Sequence, residues 1–197
     1  FAEYNQIDEK FKTKGETKII TEEKYLLEGQ DLLIDYKKKI IKSDKESILV
    51  DQEGNKVLIE NFEFSVDTSI FKSIGRIIIE DTKKNTYEFT QVYIDTKKKE
   101  ILGTDSKIFL NNESFKISSK NNPRVFSNTV NIKKDKSTFE KSIFTICQYR
   151  ENDKCPPWTI QSKKMLHDSI KKTIYYDNAI VKVYDIPIFY FPKLSHP

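Results

Sequence analysis

The chain has 197 residues, of which 37% are hydrophobic and 32% charged, and its formal net charge is +4. This composition is typical of one folded domain, at most two, and excludes a disordered chain. No apolar run approaches the roughly 20 residues that a transmembrane helix needs. Lysines are interspersed with acidic residues along the whole chain, which argues against a nucleic-acid reader.

Alternation of apolar and polar residues with a period of two dominates the chain and predicts β-strands. The clearest examples are residues 61–67, 76–80 and 91–95, where β-branched and aromatic residues alternate with polar ones. The segment 158–170 fits either a strand or the face of a helix, and we predict strands there. The sequence therefore predicts an all-β fold.

A unit of strand, charged turn and strand recurs at roughly 30-residue spacing, which predicts stacked hairpins. Residues 32–41 are echoed by 92–102, and residues 62–79 form a looser copy. Asp35 and Asp95 are predicted to end their strands and begin turns, because an Asp side chain accepts hydrogen bonds from the amides that follow it.

Two lysine triplets, at 37–39 and 97–99, lie in the predicted turns. We interpret them as solvated hairpin tips, with binding of nucleic acid or anionic lipid as the alternative. Residues 111–131 are predicted to form a loop-rich join, 137–147 a strand, and 148–157 a polar loop. The sequence opens at Phe1 without a signal peptide, which we interpret as a mature or trimmed chain.

The only cysteines, Cys147 and Cys155, bracket the polar loop. In an oxidising compartment they are predicted to form a local disulfide, which would stabilise the fold by about 2–3 kcal/mol. Free or intermolecularly paired thiols and metal ligation stay open as alternatives, although zinc usually takes closely spaced cysteine pairs and more ligands than this segment offers.

No credible active site is evident in the sequence. Cys155, His167 and Asp168 could in principle form a nucleophile, a base and an orienting carboxylate. However, His167 and Asp168 are adjacent, so in a strand their side chains would face opposite ways. Five glycines in the chain make a phosphate-binding glycine loop improbable on composition. We therefore expect no enzymatic activity, no cofactor and no metal.

The last forty residues carry the most specific pattern. In order they read P-W-x-I from Pro157, His167-Asp168, K-x-I-Y-Y-x-x-A from Lys172, I-P-x-x-Y-x-P from Ile186, and S-H-P at the end. This order resembles the segment before the membrane barrel in the lipopolysaccharide-assembly family LptD (OstA, organic solvent tolerance), especially its alphaproteobacterial members. The hairpin repeats are similar to the OstA-type β-jellyroll repeats.

The resemblance implies a twisted, slot-shaped β-jellyroll with open edges over residues 17–197, after an N-terminal extension over residues 1–16. The family's C-terminal membrane barrel would not be part of this chain. Such a module would sit at the periplasmic face of the outer membrane of a Gram-negative bacterium. Its partners would be lipopolysaccharide, an LptA-type periplasmic bridge protein bound by edge-strand addition, the barrel and a plug lipoprotein.

The function implied is to receive lipopolysaccharide from the bridge and pass it toward the barrel, with its acyl chains shielded in an apolar trough. One alternative is an adaptor that docks the bridge without touching lipid. Another is a carbohydrate-binding or hydrolytic β-sandwich, for which Trp158, the only tryptophan, would be the test position.

Alternation selects the apolar side chains that would face the trough, although an ordinary dry core has the same signature. The predicted inward residues are Leu32, Ile34, Phe62, Phe64, Val66, Ile77, Ile79, Phe89, Val92, Ile94, Val130, Ile132 and Phe144.

Overall fold

The computed structural model describes residues 1–20, 24–111, 121–147 and 157–196, and within them the chain is all-β. It divides into two compact units: unit 1 is Phe1–Thr82 with Glu88–Lys99, and unit 2 is Lys83–Tyr87 with Glu100–Pro197. No helix long and apolar enough to cross a membrane occurs in the described part of the chain.

Unit 1 holds ten strands and most of an eleventh. These are β1 (Ala2–Asn5), β2 (Lys10–Thr13), β3 (Glu16–Ile20), β4 (Leu26–Gln30), β5 (Leu33–Asp35), β6 (Ile40–Ser43), β7 (Ser47–Val50), β8 (Lys56–Ile59), β9 (Phe62–Ser65), β10 (Ile70–Glu80) and β11 (Thr86–Asp95). Unit 2 holds β12 (Glu100–Phe109), β13 (Arg124–Ile132), β14 (Lys136–Thr145), β15 (Trp158–Asp168), β16 (Thr173–Val183) and β17 (Ile186–His196).

The strands of unit 1 pair antiparallel in two layers. One layer runs in the order β1, β2, β5, β6, β9 and the start of β10. The other runs β3, β4, β7, β8 and the end of β10. Strand β10 belongs to both layers and turns between them at Gly75, whose φ of +115° is readily adopted only by glycine. The chain also passes between the layers from β4, which lies in the second layer, to β5, which lies in the first, and other pairs of short consecutive strands do the same.

The two layers of unit 1 face each other. A strand of 11 residues such as β10 spans about 36 Å when extended. Yet Lys99, in the turn that follows β11, has its Nζ 3.8 Å from Oε1 of Glu53, in the turn between β7 and β8. These two turns belong to opposite ends of the long strands. The strands are therefore folded at a corner, and their two ends lie side by side.

The predicted 30-residue repeat is present in the backbone of unit 1. Four hairpin turns end on a residue in the left-handed region, and these residues are 30 positions apart: Glu9, Lys39, Ser69 and Lys99. The carbonyls of the first three accept the amide of the residue that opens the next turn, at 2.9–3.0 Å. Adjacent hairpins are thus joined by the same hydrogen bond three times.

Both predicted turn caps are confirmed. Asp35 Oδ1 accepts the amide of Lys38 at 2.9 Å, and Asp95 Oδ1 accepts the amide of Lys98 at 2.9 Å. The hydrogen bond from the Lys98 amide is also the main reason that the pKa of Asp95 lies below its ordinary value.

Unit 2 is an antiparallel meander in which each strand from β12 to β17 pairs with the next. The register is interrupted near the middle of these strands, where Asp105, Lys141 and Asn178 have positive φ. Phe144 lies opposite Ile160 of β15, and Ile160 lies opposite Val181 of β16. Val181 is five residues from Tyr176, which is about 16 Å along an extended strand. The rings of Phe144 and Tyr176 nevertheless lie 6.5 Å apart. Unit 2 is therefore also folded into facing layers.

The predicted fold class, an all-β jellyroll of stacked antiparallel hairpins with open edges, is confirmed. The register places β1 beside β2, β3 beside β4, and β17 beside β16. The strand preferred for residues 158–170 is β15, which ends at Asp168.

Two segments outside the predicted hairpins contain strands. Residues 1–16, which we predicted to form an N-terminal extension, supply β1, β2 and the first residue of β3 to the sheet of unit 1. The predicted join over 111–131 contains most of β13, which begins at Arg124, while residues 112–120 lie outside the described part. The guanidinium of Arg124 is buried and donates to the carbonyl of Cys147 at 2.7 Å, so a charged residue opens this strand.

Candidate functional site

A row of five apolar side chains crosses the inner face of unit 1. The register places them directly opposite one another on β2, β5, β6, β9 and β10, and we call this set the inner row: Phe11, Ile34, Ile41, Phe64 and Phe71. Phe71 is buried with 4% of its surface exposed, whereas the other four are only half-buried. The apolar surface of the inner row is therefore partly open to solvent.

The neighbouring row on the same strands faces outward. It consists of Lys12, Leu33, Lys42, Glu63 and Lys72, which are mostly charged. Lys72 Nζ lies 2.7 Å from Glu63 Oε1, and this hydrogen-bonded ion pair raises the pKa of Lys72. The two faces of the layer are thus chemically distinct, as the period of two requires.

The second layer of unit 1 presents a matching apolar row: Ile19, Leu27, Leu49, Val57 and Ile79. Leu27, Val57 and Ile79 are buried, and Ile19 and Leu49 are half-buried. Two sheets packed about 10 Å apart cover each other's inner rows. The half-exposure of four residues in the inner row therefore indicates that the layers do not close fully over it.

Most of the predicted inward residues are removed from solvent. Eight are buried: Leu32, Phe62, Ile77, Ile79, Phe89, Val92, Val130 and Phe144. Ile34, Phe64, Ile94 and Ile132 are half-buried. Val66 is the exception, since 47% of its surface is exposed, because β9 ends at Ser65 and Val66 opens the following turn.

Buried serines form the corners, and sequence reasoning missed them because a serine within a strand looks like an outward residue. In unit 2, Ser106 Oγ lies 2.6 Å from Ser127 Oγ, and Ser142 Oγ lies 2.8 Å from Ser162 Oγ. In unit 1, Ser43 donates to the carbonyl of Gln30 at 2.7 Å. Small side chains that satisfy their own hydrogen bonds fit where a folded strand leaves little room.

The corners also shift the alternation by one residue. Along β14 the buried residues are Phe139, Ser142, Phe144 and Thr145, and along β15 they include Ser162 and Met165. At each corner the next buried residue comes three positions later instead of two, so the side chains that face inward do so on both halves of the folded strand. The only sequence signal of a corner is this interruption of the period of two.

The remaining candidate positions are the tryptophan, the two cysteines and the His-Asp pair, and their surroundings are as follows. Trp158 is half-buried and packs edge-on against Phe144 with ring centroids 6.5 Å apart, so it offers no open aromatic platform. Cys147 is a half-buried free thiol, and Cys155 lies outside the described residues, so the disulfide stays a prediction. His167 and Asp168 are successive residues of β15. No group of three metal-ligating side chains occurs in the described ranges.

Edge strand β17 is the most exposed apolar element. Five of its side chains have between 37% and 63% of their surface exposed: Ile186, Ile188, Phe189, Tyr190 and Phe191. Because they are consecutive or nearly so, they lie on both faces of the strand.

No family model matches the chain, and no curated protein is similar to it at a significant level.

Proposed function

We propose that this chain is a periplasmic module of the outer-membrane lipopolysaccharide translocon that shields the acyl chains of lipopolysaccharide in the slot of its jellyroll. It receives the lipid from a bridge protein of the LptA type and passes it toward a membrane barrel. The proposal rests on the resemblance of the C-terminal segment and the repeats to the LptD family, together with the chemistry of the slot.

The observation that carries the proposal is the partial exposure of the inner row. Apolar side chains left in water cost about 25 cal/mol per Å², so an ordinary core would cover them. Phe11, Ile34, Ile41 and Phe64 instead form a continuous half-exposed strip on the inner face of a folded sheet. An acyl chain laid along this strip would leave water at a gain of about 0.8 kcal/mol per CH₂.

The open edges of unit 1 are consistent with transfer between modules. Strands β1 and β3 pair with β2 and β4, and a strand at an open edge carries a row of backbone donors and acceptors on its outer side. A bridge protein can add a strand to such an edge and continue the apolar strip from one module to the next. The barrel and a plug lipoprotein are the further partners that the family resemblance suggests.

The test is photocrosslinking to lipopolysaccharide from single positions of β9. A photoreactive phenylalanine analogue at Phe64 should form a lipid adduct, because its side chain is in the inner row. The matched control is the same analogue at Glu63, one residue away on the outer face, which should form none. Equal adducts from both positions, or none from Phe64 and Ile41, would contradict the proposal.

A second candidate function is an adaptor that docks partners without contacting lipid, and β17 is the observation that favours it. An edge strand with exposed aromatic residues, as β17 is beside β16, can accept a strand from another chain. Crosslinks from Phe189 to a purified bridge protein, with no lipid adduct from Phe64, would favour the adaptor over the lipid carrier.

A further inference from the structure

The folded strands place the lysine-rich turns of unit 1 at one rim of its slot. Turns 36–39 and 96–99 occupy equivalent positions of the 30-residue repeat, with turn 66–69 between them. The Val66 amide donates to the Lys39 carbonyl at 2.9 Å, and the Thr96 amide donates to the Ser69 carbonyl at 3.0 Å. The turns are therefore held in a fixed row, which we call the rim.

Half of the rim lysines are paired with carboxylates. Lys39 lies 2.9 Å from Asp67, Lys98 lies 3.2 Å from Asp95, and Lys99 lies 3.8 Å from Glu53. The other three, Lys37, Lys38 and Lys97, have no such ion pair within the described residues, and Lys37 donates to the carbonyl of Ile7 at 2.8 Å.

These three lysines stand close to the half-buried apolar residues of the slot. Lys38 is four residues from Ile34 and three from Ile41, and Lys97 is three residues from Ile94. Ile34 and Ile41 each lie one residue inside the strands that this turn joins, so the cationic turns lie no more than about 13 Å from the apolar strip. A ligand that used both features would need an apolar chain and an anionic group separated by a similar distance.

We propose that Lys37, Lys38 and Lys97 bind the phosphate or carboxylate of the head group of the lipid whose acyl chains occupy the slot. The inference rests on the proposed lipid-shielding function and adds a selectivity to it: the slot of unit 1 takes anionic amphiphiles in preference to neutral ones. Lysine binds phosphate as a mobile point charge, so several lysines on adjacent turns suit a head group that moves along the rim.

Lysines at hairpin tips are usually only solvated, so the test compares the rim with other exposed lysines of equal charge. The rim variant carries Lys37→Gln, Lys38→Gln and Lys97→Gln. The control variant carries Lys14→Gln, Lys107→Gln and Lys163→Gln, which are exposed and lie outside the rim turns. Both variants change the net charge of the full chain by the same amount.

Binding of two single-chain lipids with the same acyl chain is measured by calorimetry below their micelle concentrations: anionic lysophosphatidylglycerol and neutral monoacylglycerol. The rim variant should bind the anionic lipid about tenfold more weakly than the wild type, from three exposed ion pairs. Its affinity for the neutral lipid should be unchanged, and the control variant should match the wild type with both. High salt should reduce wild-type binding of the anionic lipid alone.

The results distinguish head-group binding at the rim from the lipid-shielding function on which it rests. Binding of neither lipid by the wild type would overturn the lipid-shielding function itself. Binding of both lipids, with equal losses in the rim and control variants, would overturn the rim inference and leave the function standing. Inorganic phosphate that binds as tightly as the anionic lipid would show a site for free anions, and would also overturn the inference.

Discussion

The hydroxyl of Tyr176 lies 3.0 Å from Nε2 of His196, and the two rings stack with centroids 5.6 Å apart. Tyr176 is fully buried in unit 2, and burial raises the pKa of its hydroxyl well above the ordinary value. Apart from half-buried Leu194 and His196, the side chains of β17 are exposed. His196 is therefore a side chain that anchors this edge strand to the interior of unit 2.

Replacing that anchor should loosen β17. We expect His196→Ala to lower the free energy of unfolding by about 1–2 kcal/mol through loss of the hydrogen bond and the ring contact. Amide hydrogen exchange should become faster along β17 before it changes in β14. The control is Tyr190→Phe, which removes an exposed hydrogen bond to Asn178 and should cost less than about 0.5 kcal/mol. Equal exchange in the two variants would contradict an anchoring role.

The close approach at Gly29 predicts a second stability effect. A Cβ at this position would lie 2.5 Å from Oγ of Ser47 on the paired strand β7, and 3.3 Å from Leu32. We expect Gly29→Ala to destabilise unit 1 by about 1–3 kcal/mol, measured by urea unfolding. The double variant Gly29→Ala, Ser47→Ala should recover part of that loss, because it removes the nearest atom. If the double variant loses as much unfolding free energy as the two single variants together, or more, the contact is not the cause.

Two neighbouring residues of β15 predict a loss of stability in acid. The amide of Lys171 donates to Asp168 Oδ1 at 3.0 Å and is the main cause that lowers the pKa of Asp168, and burial lowers the pKa of His167. In both cases the unfolded chain takes up a proton first as the pH falls, so stability is lost toward acid. Loss should begin near the ordinary histidine value of 6.5 and continue below the ordinary aspartate value of 3.8.

The two contributions can be separated by substitution. Urea midpoints measured between about pH 8 and pH 3 should fall less steeply just below pH 6.5 in His167→Gln, and less steeply near and below pH 3.8 in Asp168→Asn. A wild-type profile that is flat from neutral pH to pH 3 would contradict both assignments.

The predicted disulfide between Cys147 and Cys155 has a direct chemical test. In chain prepared under oxidising conditions, mass mapping without reductant should find a peptide that joins the two cysteines. Reduction should then lower the free energy of unfolding by about 2–3 kcal/mol, through the entropy gained by the short loop in the unfolded state. The double variant with both cysteines changed to serine should be insensitive to reductant. Free thiols in the oxidised chain would refute the bridge.

Features determined by local chemistry could be predicted from the sequence. Asp35 and Asp95 cap their turns as expected, because the capping bond reaches only three residues along the chain. The 30-residue spacing was visible because the same turn is built repeatedly from similar residues. Alternation identified eight buried side chains among thirteen candidates, since a strand with one covered face must alternate.

Features that depend on folding the strands could not be predicted in this way. Ser142 and Ser162 are polar and small, so alternation assigns them to the surface, yet they are buried at a corner that exists only when the sheet folds. Val66 continues the alternation of Phe62 and Phe64 but lies beyond the end of β9. The half-exposure of the inner row also depends on the spacing between layers, which a pattern along one strand does not encode.

Glu9, Lys39, Ser69 and Lys99 occupy equivalent positions 30 residues apart. Unit 1 can therefore become longer or shorter only by whole repeats of 30 residues. If residues 40–69 were excised, Ile70 would follow Lys39 as Ile40 does now, and the Thr96 amide would meet the carbonyl of Lys39 instead of that of Ser69. Each increment removes or adds two strands in each layer, roughly 10 Å of sheet width. Duplication or deletion of the DNA that encodes one repeat would therefore lengthen or shorten such a protein without a change in any turn.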